Sequence, residues 1–139
     1  MTASKITAEQ QELLERARAV RTKAYAPYSS HWVGAALRMA DGRIFDGCNV
    51  ENASYGATIC AERTAILKAV SEGARLIREV AVVTDFSPPW PPCGLCLQVI
   101  AEFAAPDLKI ILGSVKPGGE TVAPMSDYFP KAFTSKHLT

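Results

Sequence analysis

Cys60-Ala61-Glu62 and Pro92-Cys93-Gly94-Leu95-Cys96 are the stretches of this chain whose residue types and spacing can do chemistry. A thiolate is a soft, strong ligand for Zn²⁺, and three protein sulfurs leave the fourth corner of a tetrahedron for a water. Water so placed loses a proton near neutral pH and becomes a usable nucleophile. Glu62 follows the first sulfur by two positions, near enough to share that proton without ligating the metal, which makes it the candidate general acid and base. A lone Cys-x-x-Cys would suit a redox pair or half a zinc knuckle equally well. Three features favour a catalytic centre instead. One ligand and its Glu stand well upstream, a proline precedes the pair, and each cluster opens a predicted helix, whose positive end favours a thiolate. A structural zinc site and a disulfide are the competing readings.

The elements that must position these residues follow from hydrophobic period and turn signals. Leu13, Leu14, Ala17, Val20 and Ala24 recur at helical spacing and predict an amphipathic helix over residues 7–25, broken by Ala26-Pro27-Tyr28-Ser29-Ser30. Strands over 33–39 and 43–50 flank an Asp41-Gly42 turn as a hairpin. A loop of small and polar residues, 51–58, leads to a helix over 60–71 that Gly73 ends. A short apolar strand, 80–84, precedes a loop holding Pro88, Pro89, Trp90, Pro91 and Pro92. Then come a helix over 93–103, a strand over 108–113, a short edge strand over 120–123 and a closing helix over 131–138. Alternating strands and helices predict an α/β fold, with a mostly parallel sheet covered on both faces and an antiparallel hairpin at its start.

The 139 residues fit a single domain, 1–139. Fifteen Lys and Arg against fourteen Asp and Glu leave a net charge of +1, which is no footprint for a nucleic acid polymer and suits a small ligand. Residues 1–10 are polar with no leader-like pattern, and no run approaches the roughly 20 apolar residues of a membrane span. The expectation is a cytoplasmic protein with no membrane partner, whose four cysteines serve metal and not crosslinks.

With these residues in place the sequence resembles the small three-cysteine cytidine deaminases, zinc enzymes of the cytidine/deoxycytidylate deaminase superfamily. The likeness is densest in Asn49-Val50-Glu51-Asn52-Ala53-Ser54-Tyr55-Gly56 and Thr58-Ile59-Cys60-Ala61-Glu62-Arg63-Thr64-Ala65. The resemblance implies a three-layer α/β/α sandwich with a five-stranded mixed sheet, one Zn²⁺ per subunit, and a homotetramer whose active sites are shared. It implies Cys60, Cys93 and Cys96 as zinc ligands and Glu62 as the proton shuttle. Asn49 and Glu51 correspond to the pair that holds the ribose 3′-hydroxyl, and the Ala61 backbone N–H to the donor for pyrimidine O2. Arg63 corresponds to an arginine that hydrogen-bonds the ligand sulfurs. Three thiolates and Zn²⁺ sum to minus one, so a guanidinium beside them limits the excess charge that would weaken the Lewis acid. Tyr55 corresponds to a residue reaching a neighbour's site, and Phe133 to an aromatic stacked on the base from another subunit. The implied reaction is hydrolytic deamination of cytidine and 2′-deoxycytidine to the uridine products and ammonia, in pyrimidine salvage.

The chain also departs from that pattern. His31 replaces the phenylalanine that flanks the base, Trp32 a proline, Leu97 an arginine and Pro91 a serine, a change that keeps the backbone carbonyl able to receive the leaving ammonia. His31, Trp32 and Leu97 keep open a deaminase of a modified cytosine nucleoside or a nucleoside antibiotic, since pocket linings set specificity. A nucleoside-binding zinc protein without catalysis is the third reading. Cys48 is expected as a small buried hydrophobe, His137 as a surface side chain, and Trp90 as either a cap over the pocket mouth or a packing residue.

Overall fold

A computed structural model describes residues 5–138. Helix α1 (Ala8–Arg21) opens on a reciprocal cap in which Thr7 Oγ1 accepts from Gln10 N at 3.1 Å and Gln10 Oε1 accepts from Thr7 N at 3.0 Å. It stops short of residue 25. Tyr25 instead pairs with the segment after the second strand: its N–H donates to Asn49 O at 3.0 Å, and its carbonyl accepts from Glu51 N at 2.8 Å. Ala26 precedes a proline and is pushed out of helical geometry as well.

The strands are β1 (Gly34–Met39), β2 (Ile44–Cys48), β3 (Ile77–Thr84), β4 (Ala104–Ser114) and β5 (Thr121–Pro124), joined in one sheet of order β2-β1-β3-β4-β5. Only β3 and β4 pair in parallel; the other three pairings are antiparallel. The sheet is therefore mixed, and the mostly parallel sheet expected from element alternation is corrected. Helix α2 (Ala61–Ser71) does link two strands of the same direction, but the hairpin places β1 between them. Helix α3 (Gly94–Phe103) links the adjacent parallel pair.

Side-chain alternation along the strands divides the core in two. Leu37, Val80, Val82, Ile110 and Leu112 face Ile66 and Ala69 of α2 and Leu97 and Ile100 of α3, while Ala36, Ala81, Val83 and Ile111 face Leu13, Leu14 and Ala17 of α1. This gives the three layers. Strand β3 begins three residues before the predicted start, because Glu79 is spent on an ion pair with Arg38 of β1 at 3.6 Å and so hides the apolar pattern. Residues 131–138 form only a 3₁₀ turn, Ser135–Leu138, and not the predicted helix. The Phe133 carbonyl, which a helix would give to a later backbone N–H, accepts from Gln98 Nε2 of α3 at 2.8 Å.

Two glycines let the layers close. A Cβ on Gly34 would lie 2.0 Å from the Ala17 carbonyl of α1, and one on Gly47 would lie 2.6 Å from the Ala65 nitrogen of α2. Gly34 pairs with Cys48 on one side and Val83 on the other, so the start of β1 and the ends of β2 and β3 form one rim. The helices that follow β2 and β3 start from that rim.

Candidate active site

The rim brings the two cysteine clusters together. Cys60 and Cys93 are the N-cap residues of α2 and α3, neither uses its side chain to cap, and Cys96 lies in the first turn of α3. Two helix N-termini thus converge on the sulfurs, where their dipoles favour negative charge. The three Sγ atoms all lie within 4.8 Å of one another, with Cys60 and Cys93 4.0 Å apart. Sulfurs 2.3 Å from a tetrahedral zinc stand roughly 3.8 Å from each other, so the donor set fits that ion closely. All four cysteines are free thiols, and the disulfide alternative does not describe this arrangement.

The charges around the sulfurs point the same way. Hydrogen bonds from Cys96 and Arg63 bring Cys60 down to about 5, while the bond to Cys60 and burial drive Cys96 far up. Three thiolates cannot share this space without a cation among them. Arg63 Nη2 donates to Cys60 Sγ at 3.4 Å, whereas its buried Nε has no acceptor among the described residues. Glu62, only 4 % exposed, is pushed up to about 7, first by burial and then by the charge of Cys60. A carboxyl tuned near neutrality can both take and give a proton.

Cys60, Ala61, Glu62 and Cys93 form one end of a cavity of about 310 Å³, whose walls include His31, Asn49, Glu51 and Trp90. Ala61 is the first residue of α2, and a first-turn N–H has no carbonyl within its own helix to bind. Asn49 is buried, its Oδ1 accepting from Val33 N and its Nδ2 donating to His31 O, both at 2.8 Å. Glu51 accepts from Tyr28 N at 2.9 Å and Ser29 N at 3.1 Å, and also from the Ser29 hydroxyl. That hydroxyl leads the interactions holding its carboxyl below the usual range. Both side chains therefore order the loop of residues 28–33, which also lines the cavity, while each keeps some hydrogen-bonding capacity.

Two expected residues lie away from this cavity. Tyr55 is 76 % exposed, packed edge-on against Tyr28 in a groove that shares Ser29, Glu51 and Thr58 with the cavity. Phe133 is also exposed, stacked on His137 beside α3. Leu97, where the resembled pattern has an arginine, is buried in the core. Cys48 is only half-buried on the edge strand β2, a correction to the expected buried hydrophobe that follows from its place at the sheet margin. Trp90 packs, stacking on Phe86 with centroids 3.5 Å apart, and is one of the residues that line the cavity. Asp85, Phe86, Ser29 and Thr58 are site neighbours that the sequence reading does not single out. The usable signal for Asp85 and Phe86 was their place directly after β3, since ligands gather at strand ends in α/β sheets.

A mixed α/β sheet with three sulfurs and a carboxyl gathered at the strand ends defines a class of protein, one whose site is built to hold a metal ion beside an acid–base group. Residues 7–112 match the cytidine and deoxycytidylate deaminase zinc-binding region, and the chain belongs to that family. It is 47 % identical over 130 residues to the cytidine deaminase of Halalkalibacterium halodurans, covering 94 % of this chain and 98 % of that one. The crystal structure of cytidine deaminase from Burkholderia pseudomallei superposes with a TM-score of 0.83 at 47 % identity, over 88 % of this chain and 98 % of the other. That of the Mycobacterium tuberculosis cytidine deaminase gives 0.78 at 35 % identity, over 91 % and 98 %. Among the described residues no helix is long and apolar enough to cross a membrane.

Proposed function

We propose that the protein is a cytidine deaminase: cytidine or 2′-deoxycytidine and water give the uridine product and ammonia. The observation that carries this is the sulfur triangle with buried Glu62 in a cavity that Asn49 and Glu51 also line. Cys60, Cys93 and Cys96 would hold one Zn²⁺ per chain, with Arg63 offsetting the sulfur charge. Zinc bound there supplies Lewis acidity and a water acidic enough to react at neutral pH. Glu62 takes the proton of the attacking water and passes it to N3 as C4 becomes tetrahedral. It then takes the proton of the new C4 hydroxyl and delivers it to the exocyclic nitrogen, so that the C4–N bond breaks, C4 regains its carbonyl and ammonia departs toward the Pro91 carbonyl. The Ala61 N–H holds O2, and Asn49 and Glu51 bind the ribose 3′-hydroxyl with the capacity the loop leaves them.

The reading extends to a single-domain subunit, 1–139, of a homotetramer in which Tyr55 and Phe133 serve a neighbour's site. Their exposure, and their absence from their own chain's cavity, support this. Reduced thiols as metal ligands suit the cytoplasm, and the product suits pyrimidine salvage. The test is ammonia release from cytidine by the purified protein, with metal content measured beside it. Glu62→Gln should keep its zinc and lose at least ~10²-fold in turnover, the lower end for general acid–base catalysis. Undiminished turnover in that variant would remove Glu62 from the mechanism, and zinc without any ammonia would favour the non-catalytic binding protein.

A further inference from the structure

One residue lining the cavity, His31, is paired with a carboxylate behind it, and the reaction uses neither. His31 Nδ1 lies 3.4 Å from Asp85 Oδ2, and Asp85 is also approached by Arg21 Nη2 at 3.9 Å. The imidazole packs at a tilt on Phe86, centroids 4.7 Å apart, and Phe86 lies flat on Trp90. Its backbone is held as well, the carbonyl by Asn49 Nδ2 and the N–H by Ser29 Oγ at 3.0 Å. The ring is thus fixed on a wall of the cavity that ends at Glu62. An Nδ1 committed to a carboxylate settles the tautomer, and the second ring nitrogen, Nε2, is left to hydrogen-bond something else. Among the described residues Nε2 has no hydrogen-bond partner, and a hydrocarbon ring would fill the same wall without offering one.

We infer that His31 is a specificity-determining residue and Asp85 the residue that positions it, and that together they favour cytosine nucleosides carrying a hydrogen-bonding substituent on the pyrimidine ring. The inference rests on the deaminase reading. In that reading the Ala61 N–H takes O2, Glu62 serves N3, the reaction occupies C4 and the sugar occupies N1. A wall group that reaches the edge of the ring therefore meets C5 or C6, of which C5 is the position adjoining the reacting carbon. A hydroxyl carried there on one methylene can donate to or accept from Nε2, whereas a methyl group cannot.

The probes are cytidine, 5-methylcytidine and 5-hydroxymethylcytidine, compared as kcat/KM with the zinc-loaded protein. The ratio of hydroxymethyl to methyl substrate isolates the hydroxyl from the bulk at C5. A single neutral hydrogen bond predicts that the ratio falls roughly 5-fold in His31→Phe, mostly through KM, and is largely kept in His31→Gln. Asp85→Ala should lower the same ratio by freeing the ring, and Asp85→Asn, which can still accept from Nδ1–H, should restore it. A merely structural Asp85 would lower melting temperature and all three substrates together, leaving the ratio where it was. A ratio unchanged in both His31→Phe and Asp85→Ala overturns the inference, even with cytidine turned over normally. Failure of the parent protein to release ammonia from cytidine would instead overturn the deaminase reading itself.

Discussion

Replacing Asn49 by aspartate separates what its amide does for the fold from what it does for a ligand. Oδ1 meets the Val33 N–H and Nδ2 meets the His31 carbonyl, both at 2.8 Å and with the residue 8 % exposed. These partners fix which end is oxygen, because the flipped amide would set donor against donor and acceptor against acceptor. In Asn49→Asp the first bond survives, while the second becomes a carboxylate oxygen facing a carbonyl. An orphaned buried acceptor costs about 1–3 kcal/mol, and the desolvated charge adds to it, so a loss of roughly 2–4 kcal/mol is expected. In urea, with m about 2 kcal/mol per molar as for a typical small protein, that loss lowers the midpoint by roughly 1–2 M with m unchanged. The deficit should shrink in acid. Burial and the facing carbonyl raise the folded-state pKa of the new carboxyl, so the folded form binds more protons and regains a donor as pH falls through that value. A midpoint equal to the parent's at neutral pH would refute the claim that this amide ties residues 31–33 to β2. A loss of cytidine affinity without loss of stability would assign Asn49 to the ligand alone.

The remaining expectations concern the supports of the same site. Gly47→Ala puts a Cβ 2.6 Å from the Ala65 nitrogen and 2.9 Å from Thr64 Cβ, so α2 must shift at a cost of roughly 1–3 kcal/mol; thermal melting should fall together with zinc content, and retained zinc at an unchanged melting temperature would contradict it. Removal of the metal by a chelator should abolish ammonia release and re-addition of Zn²⁺ restore it, whereas activity persisting at zero measured zinc would end the metal reading. Ser29→Ala removes the leading contact that depresses the Glu51 carboxyl, so the Glu51 pKa followed by NMR should rise toward the ordinary value. A depressed folded pKa means that the stabilisation is present above the unfolded value and is lost as pH falls through the folded one. The acid-unfolding limb should therefore weaken in the variant, and an unmoved Glu51 titration would show that the backbone donors of Tyr28 and Ser29 suffice.

Much of this was legible from local chemistry. Cys60, Glu62, Cys93 and Cys96 stand out because sulfur donors at such spacing have few other uses, and the helices they open have ordinary apolar periodicity. The places where the sequence misled are those decided by distant contacts. Tyr25 continues a helical pattern, yet the backbone of Asn49 and Glu51 draws it out of the helix. Lys131 to Leu138 has a helical look, yet Gln98 takes the carbonyl that a helix would have used. The strand order could not be read from alternation either, because nothing local to residues 34–48 states that β1 lies between β2 and β3.

The same strand order explains why one rim holds everything. Because β2 and β3 run in the same direction on either side of β1, both end where β1 begins, and the helices that follow both start there. Asn49 and Glu51 leave the end of β2, Asp85 and Phe86 leave the end of β3, and His31 and Val33 enter β1 between them. Cys60 and Cys93, far apart in sequence, cap the two returning helices with 4.0 Å between their sulfurs. A metal site built this way depends on sheet register more than on any loop. Sliding β2 by one residue would exchange the faces of Asn49 and its neighbours and displace the start of α2 from that of α3. Gly34 and Gly47, whose missing side chains admit α1 and α2 at 2.0 Å and 2.6 Å from where a Cβ would stand, hold that register by allowing only one close approach. The chemistry at the sulfurs is therefore set by backbone packing on the two strands beside it.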